Sequence, residues 1–236
     1  MKQLHPIQLA ILKKMLFANG LRFSELKPDK DMENNQFTFH LDQMIAMGHI
    51  AKTKQKYFLT QKGKEFANRM DTNKTAIPLQ AKISVIIIPT KGRPENRAFL
   101  IYTRLKQPFY GCQGFMSGKV KFGEKVIDAA KREFKEETNL DGRAQIVGLK
   151  HYRVFDKKTK ELLEDKFMFY CKVDNPRGDL VPANEGKYDW ISRQDLKKYV
   201  TNHFESFEVL LEDIKLAESF DGHVKFIEID HFSVKF

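Results

Sequence analysis

Apolar positions in the first part of the chain recur at helical spacing. Ile7, Leu9, Ile11, Leu12, Met15 and Leu16 predict an amphipathic helix, with Pro6 tolerated in its opening turn. Phe23 to Leu26 predicts a short second helix begun by Ser24. Phe37, Leu41, Met44 and Ile45 keep helical spacing up to Gly48, a glycine stop, and predict a third. Residues 49–60 read as a hairpin and Gln61 to Met70 as a last helix. The polar stretch Asp71-Thr72-Asn73-Lys74-Thr75 has no apolar period and reads as a link, so the expected domains are 1–72 and 76–236.

Beyond the link the pattern shifts to strands. Ile83–Ile88 is apolar on both faces, which predicts a central strand. Phe99–Leu105 predicts a second strand. A glycine-bearing loop, Gly111–Gly123, leads into a helix from about Lys125 to Thr138. Ala144–Tyr152 and Lys166–Val173 predict further strands, the latter behind a charged hairpin loop. Asp195–Val200 and Phe204–Phe220 predict helices, and Val224–Phe236 a final strand. Strands with interleaved helices indicate an α/β sandwich with a mixed sheet, preceded by a small, mainly helical domain.

Composition narrows the classes. Of 236 residues, 42% are hydrophobic and 31% charged, as in an ordinary globular protein with a real core. Cys112 and Cys171 alone cannot build a secreted disulfide framework, so a reducing cytoplasm is the expected compartment. No run approaches the roughly 18 apolar residues that cross a bilayer, and Lys13 and Lys14 interrupt the apolar stretch that ends at Leu12; no membrane partner is expected. Net charge is +10. Residues 1–75 hold 13 Lys and Arg against 7 Asp and Glu, leaving +4 for the rest. A basic first third suits nucleic acid or a phosphorylated ligand, and equally suits a Lys-rich surface that only keeps the protein soluble.

The chemistry concentrates in Gly118–Leu140. Glu133, Glu136 and Glu137 fall within an arc of about 100° on one helix face. Ile127, Ala130 and Phe134 form the neighbouring apolar stripe that would seat the helix on the sheet. Crowded carboxylates repel unless a cation sits among them, and hard divalent ions take oxygen ligands. Such an ion neutralises a pyrophosphate and acidifies an attacking water. Gly118 and Gly123 allow close approach of the preceding loop to a ligand.

This segment resembles the signature of the Nudix hydrolases, a glycine, a glutamate, then Arg-Glu and Glu-Glu at fixed spacing. It matches at Gly118, Glu124, Arg132, Glu133, Glu136, Glu137 and Leu140, with Phe134 at an aliphatic position. The wider resemblance covers roughly 81–200, including Arg104 and Gly-Phe-Met-Ser-Gly at 114–118. It implies a Nudix α/β/α sandwich and Mg²⁺, or alternatively Mn²⁺, held by Glu133, Glu136, Glu137 and the Ser117 carbonyl. It also implies that Glu124 and Arg132 support the catalytic loop, and that Arg104, Gly118 and Lys119 meet a nucleoside-diphosphate-type substrate. Asn139 replaces a family glycine but is the next-best residue for a left-handed turn, and Ser117 replaces the usual first loop glycine. Members often take a general base from outside the box. Glu161, Glu164, Asp165 and Glu185 are the candidates, and Glu185, ahead of Trp190, is preferred. ADP-ribose hydrolases often carry a proline beyond the box. None occurs between Leu140 and Pro176, which disfavours that subgroup.

The first block resembles a winged helix-turn-helix. Lys52, Lys54 and Lys56 give it a basic wing suited to phosphate contact. From Asp31 to Ala51 there is no Lys or Arg, so base reading would rest on Asn34, Asn35, Gln36, Thr38 and Gln43. DNA binding and a role in packing or homodimerisation both stay open. Two functions follow. One is a Mg²⁺-dependent hydrolase of nucleoside diphosphates linked to another moiety. The other is a transcription regulator that uses the Nudix domain as a nucleotide sensor; it predicts a degraded metal site, and the box is intact.

Overall fold

The computed structural model describes residues 4–181 and 183–234. Its contacts divide the chain into two compact units, Met1–Leu79 and Gln80–Phe236.

The first unit contains α1 (Pro6–Leu16), β1 (Leu21–Arg22), α2 (Phe23–Leu26), α3 (Asn34–Ala46), β2 (Ile50–Thr53), β3 (Lys56–Leu59) and α4 (Gln61–Ala67). Pro6 opens α1, while the His5 imidazole accepts the Ile7 N–H and the Gln8 side chain accepts the His5 N–H, closing the helix entry as a capping box does. Ile11, Leu12, Met15, Phe37, Leu41 and Met44 pack around Ile50 and Tyr57. Ser24 lies inside α2 and does not begin it, because the Glu25 carboxylate takes the Arg22 N–H at the entry. α4 ends at Ala67, short of the expected Met70. The hairpin gains a third strand that alternation did not reveal, since β1 pairs with β3 over two residues only. Gly63 follows from a close approach, as a Cβ there would stand 2.0 Å from the His49 carbonyl oxygen. Residues 71–75 lie within this unit: Asp71 and Ala76 bridge, and the Lys13 ammonium reaches the Thr75 hydroxyl.

The second unit is built on a mixed sheet. Its strands are β4 (Lys82–Lys91), β5 (Ala98–Arg104), β6 (Gln113–Gly114), β7 (Met116–Lys119), β8 (Ala144–Asp156), β9 (Leu162–Asp174), β10 (Gly186–Ser192) and β11 (Lys225–Ser233). The order is β10-β5-β4-β9-β8-β11, with β6 on β5 and β7 on β4. β4–β9 and β8–β11 are parallel, and the other pairs are antiparallel. The loop expected at 111–123 is thus partly strand. The helices are α5 (Val126–Thr138), α6 (Leu196–Tyr199) and α7 (Phe207–Glu218). α7 begins at Phe207, after the Phe204 that spacing suggested, because the Ser206 hydroxyl caps it by accepting from Val209 N–H. The last two positions of the expected final strand lie outside the described residues.

Strand alternation sorts the core into two layers. Val85 and Ile87 of β4 and Leu100 and Tyr102 of β5 join Ala129, Ala130 and Phe134 of α5. The intervening Ile88, Phe99 and Ile101 join Leu210, Ile214 and Leu216 of α7 and Leu196 of α6 on the other face. The result is the α/β/α sandwich expected from the sequence, with α5 alone on one side. Fully burying Phe134 contributes roughly 1.5–3 kcal/mol.

A histidine ties the far edge of the sheet. His151 on β8 stacks on Phe167, with centroids 4.3 Å apart, and puts its ring nitrogens 2.9 Å from Asp165 of β9 and 2.9 Å from Glu228 of β11. Only the protonated imidazole donates to both carboxylates at once. Glu228, then Asp165, hold its pKa above the ordinary value. A raised histidine pKa stabilises the fold fully below the unfolded value of about 6.5, and that contribution disappears as pH rises through the elevated value. The melting temperature of the wild type is therefore expected to fall by ~1–2 °C more between pH 6 and pH 8 than that of His151→Gln. Parallel pH dependence of the two proteins would show that the clamp carries no stability.

Candidate active site

The loop from β7 to α5 and the C-terminal half of that helix form the site. Asn139 ends α5 at φ +60°, the left-handed conformation its family position requires. Gly123 sits at φ +81°, where glycine relieves strain. Gly118 has another purpose. A Cβ there would lie 2.0 Å from the Glu133 carboxyl carbon, so the missing side chain makes room for a carboxylate rather than only for a ligand.

Arg132 is the hub. Its Nε and Nη2 donate to the two Glu124 oxygens at 2.7 and 2.9 Å, a bidentate pair. Nη1 reaches Glu133 at 2.8 Å and Glu136 at 3.0 Å, and Nη2 also donates to the Lys119 carbonyl at 3.1 Å. Glu124 accepts the Lys121 N–H at 2.9 Å. The Arg132 guanidinium, then that N–H, hold the Glu124 carboxyl at about 2. The loop clasp is accordingly at full strength above the ordinary carboxylate range and fails only as pH falls towards 2. The same carboxylates, Glu124 first, push the Arg132 pKa up.

Glu137 takes a separate partner, the Tyr188 hydroxyl of β10, at 2.7 Å. Burial, then that hydrogen bond, raise the tyrosine's pKa and keep it a donor. The Val120 N–H bonds the Ile83 carbonyl, which makes Ile83–Val120 a hydrogen-bonded pair of the β4–β7 ladder. By alternation, Ser117 and Lys119 turn their carbonyls away from β4, consistent with Arg132 taking that of Lys119.

Arg132 and the Glu133, Glu136 and Glu137 carboxylates line a cleft of about 1080 Å³ together with Arg104, Lys106, Lys121, Lys166, Phe204 and Glu205. Arg104 is in the cleft, but its guanidinium already serves the Pro108 carbonyl at 2.7 Å and that of Gln107 at 3.3 Å. Glu185 lines the same cleft as an ion pair with Lys106 at 2.6 Å. Of its rivals, Glu164 also lines it, held by Lys82 at 3.1 Å and Lys166 at 2.8 Å. Asp165 serves His151, and Glu161 is exposed.

The oxygen-only donor set of Glu133, Glu136, Glu137 and the Ser117 carbonyl suits a hard divalent cation in kind. Among the described residues no three acidic, His or Cys side chains already form a finished cage. The carboxylates are held by Arg132 and Tyr188.

In the first unit, Asn35 and Gln36 are exposed in the opening turn of α3. Gln43 accepts from the Gln8 side chain at 2.8 Å, so one of its oxygen positions is taken by packing. Lys54 sits in the turn at φ +55°, and register places Lys52 beside Tyr57 and Lys56 beside Thr53, on opposite faces of the hairpin. The three lysines surround the tip and do not form a single row. No described helix is long and apolar enough to cross a membrane.

A NUDIX domain family model matches residues 78–210, more than half the chain. The chain belongs to the Nudix hydrolase family. Its fold is similar to the NUDIX domain of Shewanella oneidensis NrtR, solved with ADP ribose, at 13% identity and a TM-score of 0.50; the match covers 68% of this chain and 97% of that one. It is also similar to a MutT protein of Bacillus halodurans at 15% identity and a TM-score of 0.50, over 66% and 93% of the two chains. A MutT/nudix family protein of Enterococcus faecalis matches at 16% identity and a TM-score of 0.40, over 49% of this chain and only 45% of that one. At these identities the likeness is one of fold.

Gly118→Ala is expected to displace Glu133 and loosen its bond to Arg132, destabilising the protein by about 1–3 kcal/mol as overpacking does. Urea unfolding measures this, and an unchanged midpoint would show that the loop yields without strain.

Proposed function

We propose that this protein is a divalent-metal-dependent pyrophosphohydrolase that cleaves a nucleoside diphosphate linked to another moiety. The observation that carries the reading is the row Glu133, Glu136 and Glu137 facing a large cleft that Arg132 and several lysines also line. Mg²⁺, with Mn²⁺ as the alternative, would be held by those carboxylates and the Ser117 carbonyl. When bound, the ion supplies charge neutralisation on the pyrophosphate and acidification of water.

The remaining work falls to the chain. Arg132 keeps Glu124, Glu133 and the Lys119 carbonyl in one rigid array, so the carboxylates are ordered before substrate arrives. Tyr188 fixes one oxygen of Glu137 and leaves the other to act. Lys119, Lys121 and Arg104 supply positive charge where phosphate oxygens would lie. Glu185 acts as general base once substrate phosphate draws Lys106 away from it.

The first unit is read as a winged-helix module that binds DNA, on the strength of its three-stranded antiparallel sheet, the exposed start of α3 and the lysines around the hairpin tip. Such binding would couple hydrolysis or nucleotide sensing to an operator. Self-association into a homodimer fits the same module if duplex binding is absent.

Glu136→Gln and Glu137→Gln are each expected to lose at least ~10²-fold in Mg²⁺-dependent turnover with unchanged melting, because they remove transition-state stabilisation and no packing. Release of nucleoside monophosphate from a panel of nucleotide pyrophosphates reads this out, and full activity in both variants would overturn the assignment. For DNA, replacing Lys54 and Lys56 with Ala is expected to flatten the slope of log affinity against log salt by about one to two. Gln43→Ala should leave that slope alone. Titrating labelled duplexes at several salt concentrations decides this, and no binding at low salt would rule DNA out.

A further inference from the structure

The acidic side chains that line the cleft differ in how they are held. Glu133 and Glu136 are paired to Arg132, Glu164 to Lys82 and Lys166, and Glu185 to Lys106. Asp213 is salt-bridged to the buried Lys150, and burial still pushes its carboxyl up to about 6. Glu137 takes the Tyr188 hydroxyl and belongs to the proposed metal set. Glu205 stands apart. Its side chain is only 16% exposed, yet no described Lys or Arg makes an ion pair with it: the Lys150 and Lys166 charges reach it only from beyond ion-pair distance, and the His231 ring stands 4.0 Å away. The Tyr152 hydroxyl donates to it, which uses one of a carboxylate's several acceptor positions.

Beside it stands Phe204, which also lines the cleft. That ring is pinned edge-on to Phe109, with centroids 5.9 Å apart, and presses on Gly114, where a Cβ would lie 3.0 Å away. Phe115, Met168 and Ile86 continue the apolar lining. A fixed aromatic edge, an apolar wall and one under-neutralised carboxylate are what a planar heterocycle with hydrogen-bond donors needs.

Resting on the nucleotide reading above, we infer that Glu205 is the specificity-determining residue of the cleft and accepts the paired donors of a guanine base against the Phe204 wall. Guanine presents an N1–H and an N2 amino group side by side, which match the two oxygens of one carboxylate. Adenine offers a ring nitrogen acceptor beside its amino group and would set a lone pair against the carboxylate. A buried acceptor left facing an acceptor discriminates strongly. A base-edge contact is made equally in ground and transition states, so it acts through KM and not kcat.

The test compares GDP-glucose with ADP-glucose in the full chain with Mg²⁺, alongside calorimetric titration of GMP and AMP. The wild type is expected to favour the guanine ligand about tenfold or more in kcat/KM and in binding. Glu205→Gln keeps the size of the side chain and a group that accepts from Tyr152. It is expected to cut that ratio at least tenfold, with the change in the KM of the guanine substrate and the same far-UV melting curve. A wild type with no guanine preference in either assay overturns the inference, as does a ratio that survives the substitution. If neither sugar nucleotide is hydrolysed, the hydrolase reading is in question while the GMP and AMP titrations still decide the subsite. Should Glu205→Gln not fold, the wild-type ratios together with those of Glu205→Asp decide it.

Discussion

The guanidinium of Arg132 makes the site possible. Three carboxylates, Glu133, Glu136 and Glu137, line the cleft with Glu124 held behind them on Arg132, and without a fixed cation the four would repel one another and open the loop. Arg132 opposes that repulsion with a planar fork that grips Glu124 through two hydrogen bonds and touches two more carboxylates and a main-chain carbonyl. A lysine, with a single flexible ammonium, could not span these partners. The negative charge at this end of the helix is thus kept in place by a permanent internal counter-ion.

The sheet supports this arrangement by dividing the labour between its faces. One face anchors α5 through Ala129, Ala130 and Phe134, and so fixes the row of carboxylates. The other carries α7 and a half-polar interior, with Lys150 and Asp213 paired in the core and Tyr170 beneath the lysine ammonium at 4.6 Å from its centroid. That interior opens onto the same cleft, so groups from both layers meet one ligand-sized space.

What was legible in the sequence was local. The α5 carboxylates share one helix turn, so spacing alone placed them together, and the left-handed Asn139 followed from its position after the helix. Ile83–Ile88 declared itself central because apolar residues fill both faces. Contacts between distant segments were not legible. Tyr188 reaches Glu137 across 51 positions, and Lys150, which looks like a solvated lysine in a strand, is only 2% exposed through its partnership with Asp213 on α7. Glu205 fell within a stretch that reads as the start of a helix, and only the Ser206 cap leaves it in the loop before α7. β10 alternates polar and apolar only over Lys187–Trp190 before Ile191 breaks the pattern, too short a run to declare a strand. In the hairpin, composition grouped three lysines that register then distributed around the tip.

Gly118 and Glu133 occupy what is in effect one shared volume, because the carboxylate fills the space a side chain at 118 would claim. The glycine is therefore not constrained by its own backbone torsion, and neither position can drift alone. A methyl group at 118 becomes admissible only if the residue at 133 retracts, and a retracted acid no longer reaches Arg132. The two positions are sterically one unit, with the loop's freedom at 118 set by a residue on the helix.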